Sequence, residues 1–327
     1  MTPNPETSFD ELFETLLNEE EELARHVLVR LSGLSPEELI TFEARWGEIS
    51  APRRQRVLQD LAELAETKAV IMPDDIFMIS LEDEDATARS LAIGGLWENE
   101  NNALIPIFLK ILEEDESAHV RAKAAGALGY FVYLGELNKI PQDKVSAVLK
   151  TLHSILGNDE PDIVKQMALS SLGYAGGAEI NGFIENAYNR NEDDWVITAL
   201  KAMGNTADKR WESLVIERLD DPDALILEEA ARTAGKLELE EAVPALLFLL
   251  GGEDREIRMA AAWSLSEIGG ESAQTGLENA LEDCEDEDEI LFIENALENL
   301  DFNQDLIEFD LFNFPDGEAD DLPEISE

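Results

Sequence analysis

Residues 225–270 read LILEEAARTAGKLELEEAVPALLFLLGGEDREIRMAAAWSLSEIGG. One helical pattern occurs in this stretch twice, with another helix between the copies. Ile226, Ala230, Ala231 and Ala234 return as Ile257, Ala261, Ala262 and Leu265, a shift of 31 residues. A fixed period of this length with two helices per unit predicts an α-solenoid, because no unit can bury its apolar face without a neighbour.

The second-helix pattern extends outward in both directions. Ala88, Val120, Val164, Trp195, Ile226, Ile257 and Glu289 hold one reference position. Four residues on stand Ala92, Ala124, Ala168, Ala199, Ala230, Ala261 and Ile293, and eight on stand Leu96, Leu128, Leu172, Met203, Ala234, Leu265 and Leu297. The spacing predicts seven helical-hairpin units over residues 73–300. Alanine in the middle of the stripe lets neighbouring helices approach, while larger residues on either side fill the layer. Gly129, Gly173, Gly204 and Gly235 follow the stripe and are expected to turn each helix end into its loop. The acidic loops, such as LEDED before Ala86 and LEEDES before Ala118, place carboxylates at the positive end of the next helix, as caps.

Before the repeats, Ser8 with Glu11 and Ser35 with Glu38 are capping boxes that open amphipathic helices. A third helix follows Ser50, with Val57, Leu58, Leu61 and Leu64 at helical spacing. These helices lack the alanine pattern and read as an N-terminal cap module, residues 1–72. Arg53, Arg54 and Arg56 read as a solvated face beside many glutamates. Between Val120 and Val164 the step lengthens to 44 residues. The surplus, YFVYLGELNKIPQD from Tyr130, either extends the second helix through Phe131, Val132, Leu134 and Leu137 or projects an edge used for binding.

A hydrophobic content of 44% excludes general disorder, yet 73 acidic residues stand against 24 basic ones, for a net charge of −49. Such a charge repels a phosphate backbone, so nucleic acid is a disfavoured partner and a basic protein the better-matched one. The single cysteine, Cys284, rules out an internal disulfide and a cysteine-rich zinc site, as in a reducing compartment. The absence of a signal-like start and of an apolar run long enough to span a bilayer makes a cytoplasmic protein with no membrane contact the expectation. After Arg258 no lysine or arginine follows. The acidic tail, residues 301–327, interleaves carboxylates with apolar residues including Phe309 and Phe312. It serves either as the cap of the last repeat or as a partner-binding segment, with disorder expected beyond Pro315.

HVRAKAAGALG at His119, EIRMAAAWSLSEIG at Glu256, ALIPIFLKIL at Ala103 and AVPALLFLL at Ala242 together resemble the HEAT-repeat family. The likeness is closest to its short variety, the HEAT-like repeats found in phycobilin lyases. The resemblance implies an all-α solenoid, protein binding as the default role, and second helices lining the concave face. The six- and ten-residue offsets on that face supply Tyr130, Tyr174, Lys201, Arg232, Lys236 and Trp263 as candidate partner-binding residues, together with Phe309 and Phe312 of the tail. Neutralising intramolecular salt bridges are the other account of the cations. His26, His119 and His153 fall in different units, and neither a phosphate loop nor a nucleophile elbow is present, so no catalytic, cofactor or metal residue is assigned. The expected function is a non-enzymatic scaffold or adaptor that binds a protein partner through the concave face and the acidic tail. The alternative that the resemblance raises is phycobilin-lyase-like, with a tetrapyrrole held beside Tyr130, Tyr174 and Trp263. A role like that of the HEAT-like DNA glycosylases would need a strongly basic concave face.

Overall fold

The computed structural model describes residues 8–20, 22–67 and 71–313, with side chains described as far as Asn303 and Thr67 excepted. The described residues form eighteen α-helices and no strand. Packing divides the chain into two units, residues 1–180 and 181–327.

The first unit opens with α1 (Phe9–Leu17), α2 (Arg25–Leu31), α3 (Pro36–Arg45) and α4 (Ala51–Thr67). Three hairpins follow: α5 (Asp74–Ser80) with α6 (Ala86–Gly95), α7 (Leu104–Glu114) with α8 (Ala118–Glu136), and α9 (Gln142–Gly157) with α10 (Asp162–Gly173). Both N-terminal capping boxes are formed, at Ser8 with Glu11 and at Ser35 with Glu38. The surplus residues lengthen both α8 and α9. Phe131, Val132 and Leu134 are buried, whereas Leu137 is exposed, so most of the insertion is packing. Gly135 permits that packing, since a Cβ there would lie 2.6 Å from Val145 Cγ2.

At the unit boundary α11 (Ala178–Tyr188) begins, and it pairs in sequence with α12 (Asp193–Asn205). The second unit continues with α13 (Glu212–Glu217) and α14 (Ala224–Lys236), α15 (Val243–Leu250) and α16 (Arg255–Ile268), and α17 (Glu271–Asp283) and α18 (Glu287–Asn313). These hairpins, with the three of the first unit, make seven. All seven reference residues are buried, as are the residues four positions on. Even Glu289, the polar exception, is enclosed. The helix α18 runs without a break from the last repeat to Asn313; the Phe309 and Phe312 side chains lie outside the described residues, as does the chain beyond Asn313.

Aspartates three positions before the reference residue cap four of the seven second helices. Asp85 accepts from the Ala88 amide at 2.9 Å, Asp223 from Ile226 at 3.1 Å, Asp254 from Ile257 at 3.3 Å and Asp286 from Glu289 at 2.9 Å. The expected capping role of the loop acids holds there, but other loop acids serve a second purpose. Arg89, one residue after its reference Ala88, donates to both oxygens of Asp115 in the next loop, at 2.8 and 2.9 Å. Its third contact, at 2.8 Å, is the carbonyl of Asp83 in its own loop. Arg121 repeats the device with Glu160 and the Asp115 carbonyl, and Arg258 with Glu289 and the Glu253 carbonyl. Glu289 thus occupies a reference position because it is the acid of the last such pair, and Arg258 holds its carboxyl below the usual range.

The same pairing corrects the reading of the N-terminal arginines. Arg53 and Arg54 are buried, and only Arg56 is on the surface, beside Asp60. Arg54 is forked onto Asp83 at 2.8 Å through Nε and Nη2, and Trp46 Nε1 donates to the same carboxylate at 2.6 Å. Arg53 closes on the carbonyls of Thr15 and Leu16 at the end of α1. Since α4 packs on α6 through this pair, it joins the first repeat by the bond that joins later repeats to one another.

The glycines after the stripe also need correction. Gly129, Gly173, Gly204 and Gly235 lie within helices, and positive φ occurs instead at Asn138, Asn191, Ala207 and Glu238 and at Gly176, Gly177, Gly269 and Gly270. What Gly129 and Gly235 supply is close approach. A Cβ on Gly129 would lie 2.5 Å from Ser171 Oγ, and one on Gly235 would lie 2.7 Å from Ser264 Cα. Ser171 donates to the Ala125 carbonyl at 2.9 Å, Thr233 to Leu200 at 3.0 Å and Ser264 to Ala231 at 2.7 Å. At these three interfaces one hydroxyl stitches a second helix to the one before it.

Candidate partner-binding surfaces

In the first unit the ends of the second helices gather aromatic side chains. Trp97 lies just past α6, Tyr130 and Tyr133 on the extension of α8, and Tyr174 just past α10. Their ring centroids form a row, with Trp97 to Tyr130 at 6.4 Å, Tyr130 to Tyr133 at 6.4 Å and Tyr133 to Tyr174 at 5.6 Å. These separations suit tilted, weakly attractive ring pairs. Tyr130 and Tyr174, the two residues expected from spacing, are half-buried and are bridged by Tyr133. The members that face solvent are Trp97, 53% exposed, and Tyr133, 42% exposed. Sequence spacing missed both because Tyr133 sits in the surplus residues and Trp97 in the turn, away from the two offsets used. Burial, then the neighbouring Glu100, raises the Tyr130 phenol pKa. Tyr130 donates to Glu100 at 3.4 Å, and Lys139 donates to the same carboxylate at 3.1 Å.

A groove of about 540 Å³ adjoins this row, lined by Ile71, Met72 and Trp97 together with the carboxylates Glu66, Asp74, Glu98 and Glu100. The helix α6 can approach closely here because Gly95 faces the Phe77 ring, which a Cβ would meet at 2.3 Å. Asp74 accepts from Asn99 Nδ2 at 2.6 Å, and burial raises its carboxyl above the usual range.

In the second unit Lys201, Arg232 and Lys236 surround a carboxylate that the sequence did not single out. Glu229 is buried, with Lys201 Nζ 3.8 Å away. Arg232 is engaged by Glu228 at 2.7 Å, one helical turn earlier, and Lys236 donates to Asn205 Oδ1 at 3.2 Å. Burial raises the Glu229 pKa, against the pull of the three cations. Lys236 reaches solvent, but the protein atoms crowding its ammonium desolvate it and lower its pKa, with Glu229 pulling the other way. Trp263 stands exposed on the next second helix, α16. The cations are therefore gathered into one cluster about Glu229, and Lys201 and Arg232 are held there in ion pairs.

No group of three or more His, Cys, Asp or Glu side chains is placed to hold a metal among the described residues, and among them no helix is long and apolar enough to cross a membrane.

Helical hairpins of short period, packed through their second helices within each unit, define an α-solenoid repeat protein. The model of HEAT repeats matches residues 75–173 and 212–297, more than half of the sequence, and the chain belongs to that family. The α11–α12 hairpin falls between the two matched stretches. No curated protein matches. Among solved structures the chain is similar to the complex of CpcE and CpcF of phycocyanin lyase from Nostoc sp. PCC7120, at 18% identity over 69% of this chain and 94% of that one, with a TM-score of 0.45. It is also similar to human deoxyhypusine hydroxylase in complex with glycerol, at 17% identity over 91% and 96% of the two chains and a TM-score of 0.35. A third is YibA of E. coli, at 13% identity over 87% and 99% with a TM-score of 0.43. These are likenesses of repeated helices and carry no argument about activity.

Proposed function

We propose that this protein is a non-enzymatic scaffold that binds a protein partner through the ridge of second-helix side chains in its repeats, and that the partner is basic. The observation that carries the reading is the row Trp97–Tyr130–Tyr133–Tyr174, which leaves two large aromatic side chains, Trp97 and Tyr133, open to solvent. Aromatic side chains give much contact area for little conformational entropy and anchor protein interfaces. The net charge of −49 supports a basic partner by steering it toward the surface. The single cysteine supports a reducing, cytoplasmic setting. The acidic tail and the Lys201, Arg232 and Lys236 cluster are further contact surfaces in this reading.

The test is affinity capture from native extract with the full chain and with a Trp97→Ala/Tyr133→Ala double variant. Both side chains are exposed, so the variant keeps the helical circular-dichroism spectrum and melt. The expected result is a basic protein retained by the parent and lost by the variant. Identical captures would remove the aromatic row from the binding surface and with it the basis of the proposal.

A further inference from the structure

We propose that the groove beside Trp97 is an arginine-binding site, which takes a guanidinium side chain from an extended basic segment of the partner. This deepens the scaffold reading and rests on it for the partner being a protein. Three observations converge on that chemistry. The groove, about 540 Å³, is walled by Ile71, Met72 and Trp97, and among the described residues its lining carries carboxylates but no lysine or arginine. Its apolar wall is open, with Met72 73% and Trp97 53% exposed, so an aromatic face is available to a planar cation.

The third observation is Asp74. Five other carboxylates drawn in from solvent are each met by a guanidinium: Asp83 by Arg54, Asp115 by Arg89, Glu160 by Arg121, Asp221 by Arg218 and Glu289 by Arg258. Asp74 is also desolvated, which raises its pKa, yet its partner is the neutral amide of Asn99, and among the described residues no cation pairs with it. Glu100 is already held by Tyr130 and Lys139, which leaves Asp74, Glu98 and Glu66 as the lining carboxylates that can meet the guest, with Glu98 next to Trp97 in the chain and Asp74 bonded to Asn99. An arriving guanidinium would supply to Asp74 what the chain supplies to those five acids. Arginine fits better than lysine because its plane stacks on an indole while its fork meets a carboxylate, whereas an ammonium is a compact and strongly hydrated point charge. Next along the row stands Tyr130, 6.4 Å from Trp97, so an extended segment seated in the groove has further aromatic surface ahead of it.

The test uses the full-length protein and three labelled peptides of one sequence, with glycine-spaced arginine, lysine or citrulline, titrated by fluorescence anisotropy at physiological salt. Citrulline keeps the planar shape without the charge. The expected result is that the arginine peptide binds about tenfold more tightly than the lysine peptide and that the citrulline peptide binds more weakly still. Trp97→Ala and Asp74→Asn should each weaken the arginine peptide about tenfold, and Glu98→Gln, at an exposed position, should weaken it with an unchanged melt. Glu282→Gln, in the second unit, should leave it unchanged. Equal affinity for arginine and lysine peptides, or arginine binding indifferent to all three groove variants, would mean attraction by bulk charge and would overturn the proposal. If capture of the partner still required Trp97 and Tyr133 in that case, the arginine site would fall and the scaffold reading would stand. Capture indifferent to both residues would remove the scaffold reading itself.

Discussion

Gly235→Ala separates a helix glycine that permits close approach from one that merely ends a helix. Alanine is the better helix former by about 1 kcal/mol, so an open site should gain stability. At Gly235 the added Cβ would stand 2.7 Å from Ser264 Cα, 2.6 Å from its Oγ and 2.8 Å from its Cβ. A backbone atom cannot swing aside, so α16 would have to move away from α14. Overpacking of this kind costs about 1–3 kcal/mol. Displacing Ser264 also loosens its 2.7 Å bond to the Ala231 carbonyl, a further cost of about 1 kcal/mol. Net of the propensity gain, destabilisation of about 1–3 kcal/mol is expected. Gly182→Ala in α11 is the control, because nothing lies within 4 Å of its added Cβ. It should stabilise by about 0.5–1 kcal/mol. Urea denaturation followed by circular dichroism compares the two midpoints. A Gly235→Ala variant stabilised like Gly182→Ala would refute the close-approach reasoning.

Three further outcomes are expected. Arg54→Met should cost about 3–5 kcal/mol, because it leaves Asp83 buried without its cation, and a partner change Asp83→Leu should return part of that loss, as a double-mutant cycle in urea would show. Glu289 has a depressed folded pKa, set first by its bonds to Arg258, so its contribution is present above the unfolded value of about 4.5 and is lost as pH falls through the lower folded value; Glu289→Gln should flatten that part of the acid-side stability profile. Excising residues 205–235, one period, should leave a folded, shorter helical protein, while excising half as many should not, and equal melts for the two would refute the register.

The repeat was legible in the sequence because burial on a helix has a short, fixed period. Each of the seven reference positions could be named from spacing alone, and each is buried. The interface chemistry was not legible for a different reason. Arg89 meets Asp115, Arg121 meets Glu160 and Arg258 meets Glu289, so the distance in sequence from arginine to acid varies with the length of the intervening helices and loops. Among so many acidic residues the partner does not stand out. The usable signal was on the basic side: an arginine directly after the reference residue in three of the units, and Arg54 at the matching place on α4. The glycines misled because a Gly–Ser contact needs two helices to be placed before it can be seen. Of the candidate surface, the half-buried Tyr130 and Tyr174 followed from spacing, while the exposed Trp97 and Tyr133 did not, since turns and insertions are where the period lapses.

That division bears on where binding should be sought. The stitching hydroxyls and the forked arginines are set by the repeat: each needs a carbonyl or an acid from the neighbouring hairpin, and each is consumed in joining one hairpin to the next. A side chain that answers to the period is therefore weak evidence of a partner, since stacking already explains it. Lys201 and Arg232 belong partly to this class, because Glu229 and Glu228 hold them. Trp97 and Tyr133 fall outside the period, touch the neighbouring repeat only through tilted rings, and remain exposed. Large aromatic side chains left in water oppose the hydrophobic term unless something covers them. Trp97→Ser should accordingly leave the melting temperature within about a degree of the parent, since a surface change away from packing alters stability by under about 0.5 kcal/mol. A drop of several degrees would show that Trp97 is a packing residue after all, and the argument for a partner at this row would lose its footing.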